Sequence, residues 1–304
     1  MDSVITMDYG SGGTKTSELI DSILVPAFFN PALNALGDGA VLPGGERLVF
    51  STDSFVVSPW KFPGGDIGKL AVCGTVNDVC MAGGEPKYLS LSLILEEGFA
   101  VENLRQIVSS AAETAARCGV QIVTGDTKVV ERGKGDQVYV NTSGIGVLRA
   151  SGLGREAVRP GDAVVVSGPV GCHGAAVMMA RGELPCEGEL LSDCMPLHAL
   201  SRALIEVGGL RIMRDPTRGG LATTLNEFAE GLPFTIEISE AAVPVTPGVR
   251  AACELLGLDP LYCACEGRIV AVIALERAEA ALAALRALPG GEGAAQIGRV
   301  TEQR

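Results

Sequence analysis

Four short acidic motifs carry the first chemistry this sequence offers. GDGA (Gly37–Ala40), STDS (Ser51–Ser54), VNDV (Val76–Val79) and GDTK (Gly125–Lys128) each set an aspartate at or near the end of an apolar stretch. Mg²⁺ takes hard oxygen ligands and usually bridges carboxylates to phosphate oxygens. If Asp38, Asp53, Asp78 and Asp126 converge, they suit a magnesium–nucleotide site; read singly, each fits an ordinary cap or turn. The run GSGGTKT (Gly10–Thr16) adds Gly10, Gly12 and Gly13, whose backbone N–H groups can line a polyphosphate closely. It is not a Walker A loop, because the second Gly-Lys-Ser/Thr element is missing, and a flexible arm is the other reading. DPTRGG (Asp215–Gly220) stands just before a helix pattern. There Thr217 is the expected N-cap, and the following N–H groups with Arg218 make either an anion pocket or a plain capping turn. ACEGRIV places Glu266 between two apolar segments, as a hairpin-turn residue or as a base held at a low-dielectric edge. His173, in GPVGCHG, follows a strand pattern at a helix start, where a lone histidine is usually structural.

These residues need elements to hold them. Leu48–Val57 is rich in β-branched and aromatic residues and reads as a strand. Gly68–Met81 reads as a buried helix of small apolar residues interrupted by Asn77 and Asp78, and Pro86–Leu95 as a strand. Val101–Cys118 repeats apolar residues at three- and four-residue steps and stops at Gly119, as an amphipathic helix with a C′ glycine does. Val120–Thr124 and Gln137–Leu148 are further strands, which makes the alternation α/β-like. A Gly-, Arg- and Pro-rich stretch at Gly152–Gly161 marks a domain boundary. Beyond it the alternation resumes, with strands at Ala163–Ser167, Leu210–Met213, Phe234–Ile238, Leu261–Cys265, Arg268–Leu275 and Ala295–Val300. Helices are expected at Ser17–Leu24, Gly174–Arg181, Leu197–Val207, Gly220–Ala229, Pro247–Leu256 and Ala278–Leu288.

With 304 residues, 47% apolar and 20% charged, the chain can bury a real core and is neither disordered nor low-complexity. Its net charge of −12 disfavours nucleic acid and anionic lipid as partners. Bound polyphosphate would therefore rely on metal ions and backbone N–H groups for much of its neutralisation. The start shows no signal peptide, and apolar stretches such as Ile269–Leu275 are too short to span a bilayer. Nine cysteines at irregular spacings, with no C-x-x-C pair, read as reduced structural thiols of a cytoplasmic protein.

Taken in order, GSGG, STDSFVVSPWKFPGGDIGKLAVCGTVNDVCMAGGEP, LEEG, GDTKVV, LSDC, RDPTRGG, CELLGLDP and EGRIV closely resemble the HypE family of hydrogenase maturation factors. That family belongs with aminoimidazole ribonucleotide synthetase, selenophosphate synthetase and thiamine-monophosphate kinase. The resemblance implies a two-domain PurM-like α/β (α+β) fold. An N-terminal mixed sheet would form a barrel across a homodimer, and helices would pack on a C-terminal sheet. It implies an arm over 1–45, an ATP-binding and dimerisation domain over 46–155 and a C-terminal domain over 156–304. The implied activity is ATP-dependent dehydration of a thiocarboxamide, carried on the protein's own C-terminal cysteine, to the thiocyanate that becomes the cyanide ligand of [NiFe]-hydrogenases. The implied partners are a HypF carbamoyltransferase and a HypC–HypD scaffold. Another ATP-using kinase or synthetase of the superfamily, or a nucleotide-binding scaffold, are the alternatives; the Gly-rich loop lacks the reactive cysteine of a selenophosphate synthetase.

Carried over by position, Asp38, Asp53, Asp78 and Asp126 are implied as the Mg²⁺ and phosphate shell. Gly10, Gly12, Gly13, Lys69, Asn77, Thr127, Thr217 and Arg218 are implied as nucleotide or intermediate contacts. Glu266 is the implied base, and Lys128 its helper in proton transfer or charge stabilisation. Two positions depart from the family: Tyr9 stands where a histidine is usual, and the chain ends GRVTEQR rather than Pro-Arg-Ile-Cys. The second departure is expected of a truncated chain, the alternative being a form that needs the tail in trans, and none of the nine cysteines takes the acceptor's place.

Overall fold

The computed structural model describes residues 3–10, 14–30, 47–182 and 190–302. Asp38, Gly12, Gly13 and Cys186 lie outside the described residues. The chain divides into two compact units. The first comprises Met1–Lys61, Gly65–Val79 and Pro86–Val147; the second comprises Phe62–Gly64, Cys80–Glu85 and Leu148–Arg304.

In the first unit α1 (Thr14–Leu19) runs through a π-helical turn, Ile20–Leu24, into α2 (Val25–Phe28). β1 (Leu48–Phe55) follows, then the two short strands β2 (Lys61–Phe62) and β3 (Gly65–Asp66), which pair with each other. After them come α3 (Ile67–Met81), β4 (Gly84–Glu96), α4 (Val101–Cys118), β5 (Gln121–Val130) and β6 (Val138–Leu148). The sheet order is β1-β6-β4-β5. β1 meets β6 antiparallel and β4 meets β5 parallel, so the sheet is mixed.

Alternation along the strands fixes its two faces. Leu89, Leu91, Leu93 and Leu95 are buried on one face, and the residues between them belong to the other. α4 buries Val101, Leu104, Ile107, Val108, Ala111 and Ala115 and ends at Gly119, in the left-handed region at φ 68°. α3 is composed of small residues because it lies flat on the sheet. A Cβ on Gly74 would sit 2.8 Å from the Phe55 ring, and one on Gly144 of β6 would sit 2.7 Å from Thr75. Each fully buried Leu, Ile or Val removed from water this way contributes roughly 1.5–3 kcal/mol.

In the second unit the elements are β7 (Ala163–Val166), α5 (Cys172–Ala180), α6 (His198–Val207), β8 (Leu210–Arg214), α7 (Gly220–Ala229) and β9 (Thr235–Ile238). They continue as α8 (Pro247–Leu256), β10 (Val270–Ile273), α9 (Ala278–Arg286) and β11 (Ala295–Thr301). The sheet order is β8-β10-β7-β11-β9, and every pair is antiparallel. Helix–strand alternation here does not produce parallel pairing. The central strands β7 and β10 are buried at every position, which is why they read AVVV and VAVI. Leu221, Leu225 and Phe228 of α7 join Val164, Val166, Val270 and Val272 in one core, while α6 packs on α9.

One expected strand is absent. Leu261–Cys265 is a 3₁₀ turn, Pro260–Tyr262, followed by a loop. The Asp259 carboxylate accepts the Leu261 N–H at 2.9 Å and starts that turn, and the Cys265 N–H goes to the Pro216 carbonyl instead of a strand neighbour. No described helix is long and apolar enough to cross a membrane.

Candidate active site

In the first unit β1 and α3 bring two of the expected aspartates together. Asp53 stands opposite Thr142, on the face that α3 covers. Thr142 is itself buried there, with its hydroxyl 2.6 Å from Thr75 Oγ1. On α3 the Asp78 carboxylate accepts the Ser51 hydroxyl at 2.9 Å. A Cβ built on Gly74, one turn earlier on α3, would lie 3.9 Å from Asp53 Oδ2, so both carboxylates lie along the same stretch of that helix. Asn77 is fully buried beside them.

Lys69 stands in the first turn of α3, half-buried, and its N–H is held by Asp66. Sequence reasoning missed Asp66. Its carboxylate accepts the Gly68 N–H at 2.8 Å, the Lys69 N–H at 3.0 Å and the Ser110 hydroxyl at 2.8 Å. An aspartate just before an apolar helix pattern is a capping signal and would have located it. Burial pushes its carboxyl up, against those donors.

Asp126 does not join this pair. It lies on β5 opposite Ser92, on the face away from Leu91 and Leu93. β1 and β5 are also opposite edges of the sheet. Three inter-strand spacings put them roughly 14 Å apart. One octahedral ion with ligands at about 2 Å cannot be held by both groups within one chain. Within one chain the strand order thus keeps Asp126 from converging with Asp53 and Asp78, a separation that local spacing does not encode. Among the described residues no group of three or more His, Cys, Asp or Glu side chains could hold a metal ion. Asp126 is instead paired with Lys128 at 2.6 Å, both exposed, and that lysine holds the Asp126 carboxyl below its usual range. Thr127 lies between them, and its N–H is held by Asp126 Oδ1 at 2.9 Å.

In the second unit a turn around Glu266 is gripped from three sides. The Cys265 N–H bonds to the Pro216 carbonyl at 3.0 Å, which seats the Asp215–Gly220 loop beside it. The Gly174 N–H of α5 bonds to the Ala264 carbonyl at 3.0 Å, and the Met195 N–H reaches the Glu266 carbonyl at 3.4 Å. Thr217 and Arg218 are therefore neighbours of the Glu266 turn, and Glu266 itself is half-buried. It is a turn residue, though not of a hairpin, since no strand precedes it.

Thr217 is not the N-cap of α7. That position belongs to Gly219 at φ 77°, and the Thr217 carbonyl accepts the Gly220 N–H at 3.1 Å. Gly219 and Gly220 both take left-handed angles, and a Cβ on Gly220 would meet the Leu261 and Cys263 carbonyls at 2.5 and 2.7 Å. The second glycine of DPTRGG thus serves the close approach of two loops.

His173 is a packed core histidine. It meets the edge of Phe62 at 5.2 Å, with Nδ1 2.9 Å from Ser192 Oγ, and burial pushes its pKa down to about 4. The eight described cysteines are free thiols.

The two sheets with their helices define a known class. The N-terminal domain of AIR synthase related proteins matches residues 36–148, and the C-terminal domain of the same proteins matches residues 159–304. The chain is 52% identical over 302 residues to the carbamoyl dehydratase HypE of Cupriavidus necator, covering 98% of this chain and 86% of that protein. It superposes on a crystal structure of the hydrogenase maturation protein HypE in complex with ATP with a TM-score of 0.95, at 48% identity, over 97% of this chain and 89% of that one. A HypE–HypF complex aligns with a TM-score of 0.82 at 46% identity, over 94% of this chain and 93% of that one. The chain belongs to the HypE family of carbamoyl dehydratases, two-domain PurM-like enzymes of hydrogenase maturation.

Proposed function

We propose that this protein uses ATP to dehydrate a thiocarboxamide on a C-terminal cysteine of HypE to a thiocyanate, which supplies the cyanide ligand of a [NiFe]-hydrogenase. An amide oxygen leaves poorly. Transfer of the γ-phosphoryl group to that oxygen makes it part of phosphate, a good leaving group. Loss of two N–H protons, the second as the C–O bond breaks, then gives S–C≡N, ADP and phosphate. The first step asks for positioning and charge stabilisation around phosphate, the second for a base at the nitrogen.

The first unit suits phosphoryl transfer. Asp53 of β1 and Asp78 of α3, on the same face of the sheet, fit Mg²⁺, which is usually bound through one or two carboxylates plus substrate phosphates. When bound, Mg²⁺ offsets the phosphate charge. Asn77, Lys69 and the Gly10–Gly13 arm are proposed to contact the nucleotide, and Asp38 to join the carboxylates. The second unit suits proton removal. There Glu266 is the proposed base, with Thr217 and Arg218 facing the anionic intermediate. The single observation that carries this assignment is the hydrogen bond from Cys265 to Pro216, which seats the arginine loop and the glutamate turn together.

Leu48, Phe50 and Ile94 are exposed on the face of the first sheet that α3 does not cover. We assign that face to a homodimer, in which Asp126 and Lys128, on the same face, reach the nucleotide. HypF is the proposed carbamoyl donor, supported by the relative solved with HypF. A HypC–HypD scaffold is the proposed receiver, and the cytoplasm the proposed location. The test is calorimetric titration with ATP with and without Mg²⁺, followed by a thiocyanate assay on an S-carbamoylated cysteine peptide. ATP binding without thiocyanate formation would leave a nucleotide-binding scaffold as the correct reading.

A further inference from the structure

The buried carboxylate of Asp193 plays no part in the reaction steps proposed so far. Its side chain is fully buried, and among the described residues Oδ2 has no hydrogen-bond partner. Oδ1 accepts the Glu266 N–H at 3.4 Å. Oδ2 lies 3.7 Å from Arg268 Nε, whose guanidinium is fixed by three carbonyls: Pro169 at 2.9 Å, Gly290 at 2.9 Å and Gly267 at 3.3 Å. The fit around the turn is tight. A Cβ on Gly267 would lie 1.8 Å from the Asp193 carbonyl oxygen and 2.6 Å from Met195 Cγ. A buried carboxylate is costly to desolvate even when it is paired, so this one is an expensive feature unless it does something. Burial pushes its carboxyl up, opposed by Arg268 and by the Glu266 and Gly267 N–H groups.

We propose that Asp193 is the positioning residue for Glu266: its carboxylate accepts the Glu266 N–H and, with Arg268, fixes where the Glu266 carboxyl group stands. The inference rests on Glu266 being the base. A base must sit within hydrogen-bond reach of the proton it takes, and a 1 Å displacement costs on the order of a hundredfold in rate. Asp193 acts only through the turn, so its loss should touch the chemical step and leave nucleotide binding alone.

The experiment compares full-length Asp193→Ala, Asp193→Asn and Glu266→Gln, and the double variant Asp193→Ala/Glu266→Gln. It measures phosphate release from an S-carbamoylated cysteine peptide, ATP affinity by calorimetry, and Tm. Asp193→Ala should lower kcat about 100-fold with ATP affinity within about twofold of wild type. Asp193→Asn keeps an oxygen for the turn but loses the charge facing Arg268, and should lose only about three- to tenfold. The double variant should be no slower than Glu266→Gln alone, because both changes remove one function. If Asp193→Ala does not fold, the Asp193→Asn measurement decides by itself, and wild-type kcat in that variant overturns the proposal. Wild-type kcat in Glu266→Gln overturns the base assignment instead, so the two failures are told apart.

Discussion

The two stations are built in opposite ways. In the first unit, Asp53 rides on a strand and Asp78 on a helix, and their relative placement follows from strand register and helix pitch. In the second unit, Glu266 and Arg218 ride on loops, held by three backbone hydrogen bonds and one buried Asp–Arg pair. A station on regular elements is stiff because each residue's backbone is fixed by many neighbours. A station on loops depends on a few contacts and can be adjusted by moving one of them. Under the proposed roles, phosphate positioning asks for the first, and proton removal from a substrate that must enter and leave tolerates the second.

The sharpest way to break this contrast is at Glu266. Glu266→Gln keeps the shape and removes the proposed base, so kcat should fall by about 10²–10⁴ with ATP affinity unchanged, read as phosphate release beside calorimetry. If affinity fell together with rate, the division of labour between the units would be wrong. Asp78→Asn should do the converse, weakening magnesium-dependent ATP binding by about 10- to 100-fold. Equal ATP affinity with and without Mg²⁺ in that variant and in the wild type would remove the metal from the first station.

A pH titration of stability probes the second unit's packing. His173 has a pKa of about 4 folded against 6.5 unfolded, so the unfolded chain binds the extra proton between those values. Stability is therefore full above pH 6.5 and declines as pH falls towards 4, by about 3 kcal/mol in all. His173→Gln should flatten that slope in chemical denaturation, and an unchanged slope would show that another group carries it. The smallest effect is expected at Gly119. Gly119→Ala places a Cβ at φ 68° with nothing within 4 Å, so only backbone strain remains. About 1 kcal/mol should be lost, seen as a few degrees of Tm, with both stations untouched.

Much of the fold was legible because its elements are long and periodic. Val101–Cys118 and Gly220–Ala229 match their expected bounds, and β1, β6 and β11 match within two residues at each end. What failed was local ambiguity. Leu261–Cys265 is apolar enough for a strand, yet Asp259-Pro260 starts a 3₁₀ turn and the Cys265 N–H is taken by Pro216. Thr217 looked like a cap because threonine caps helices well, whereas two glycines downstream let the chain turn later. Asp193 stood in LSDC, one of the motifs of the resemblance, but nothing in its neighbours gave it a role, since an aspartate there reads as a surface residue until the fold buries it.

By itself the sequence determined which residue types are present, the periodicity of the elements and the motif order that marks the family. Those are local or linear properties, set by side-chain chemistry and the 3.6- and 2-residue repeats. Only the tertiary structure decided that Asp53 of β1 and Asp78 of α3 share one face of the sheet while Asp126 stands on the other face and edge. Strand order and register depend on contacts far apart in the chain, and no window of neighbouring residues contains them. The same holds for the grip on Glu266, where Pro216, Asp193 and Gly174 converge from three separate segments.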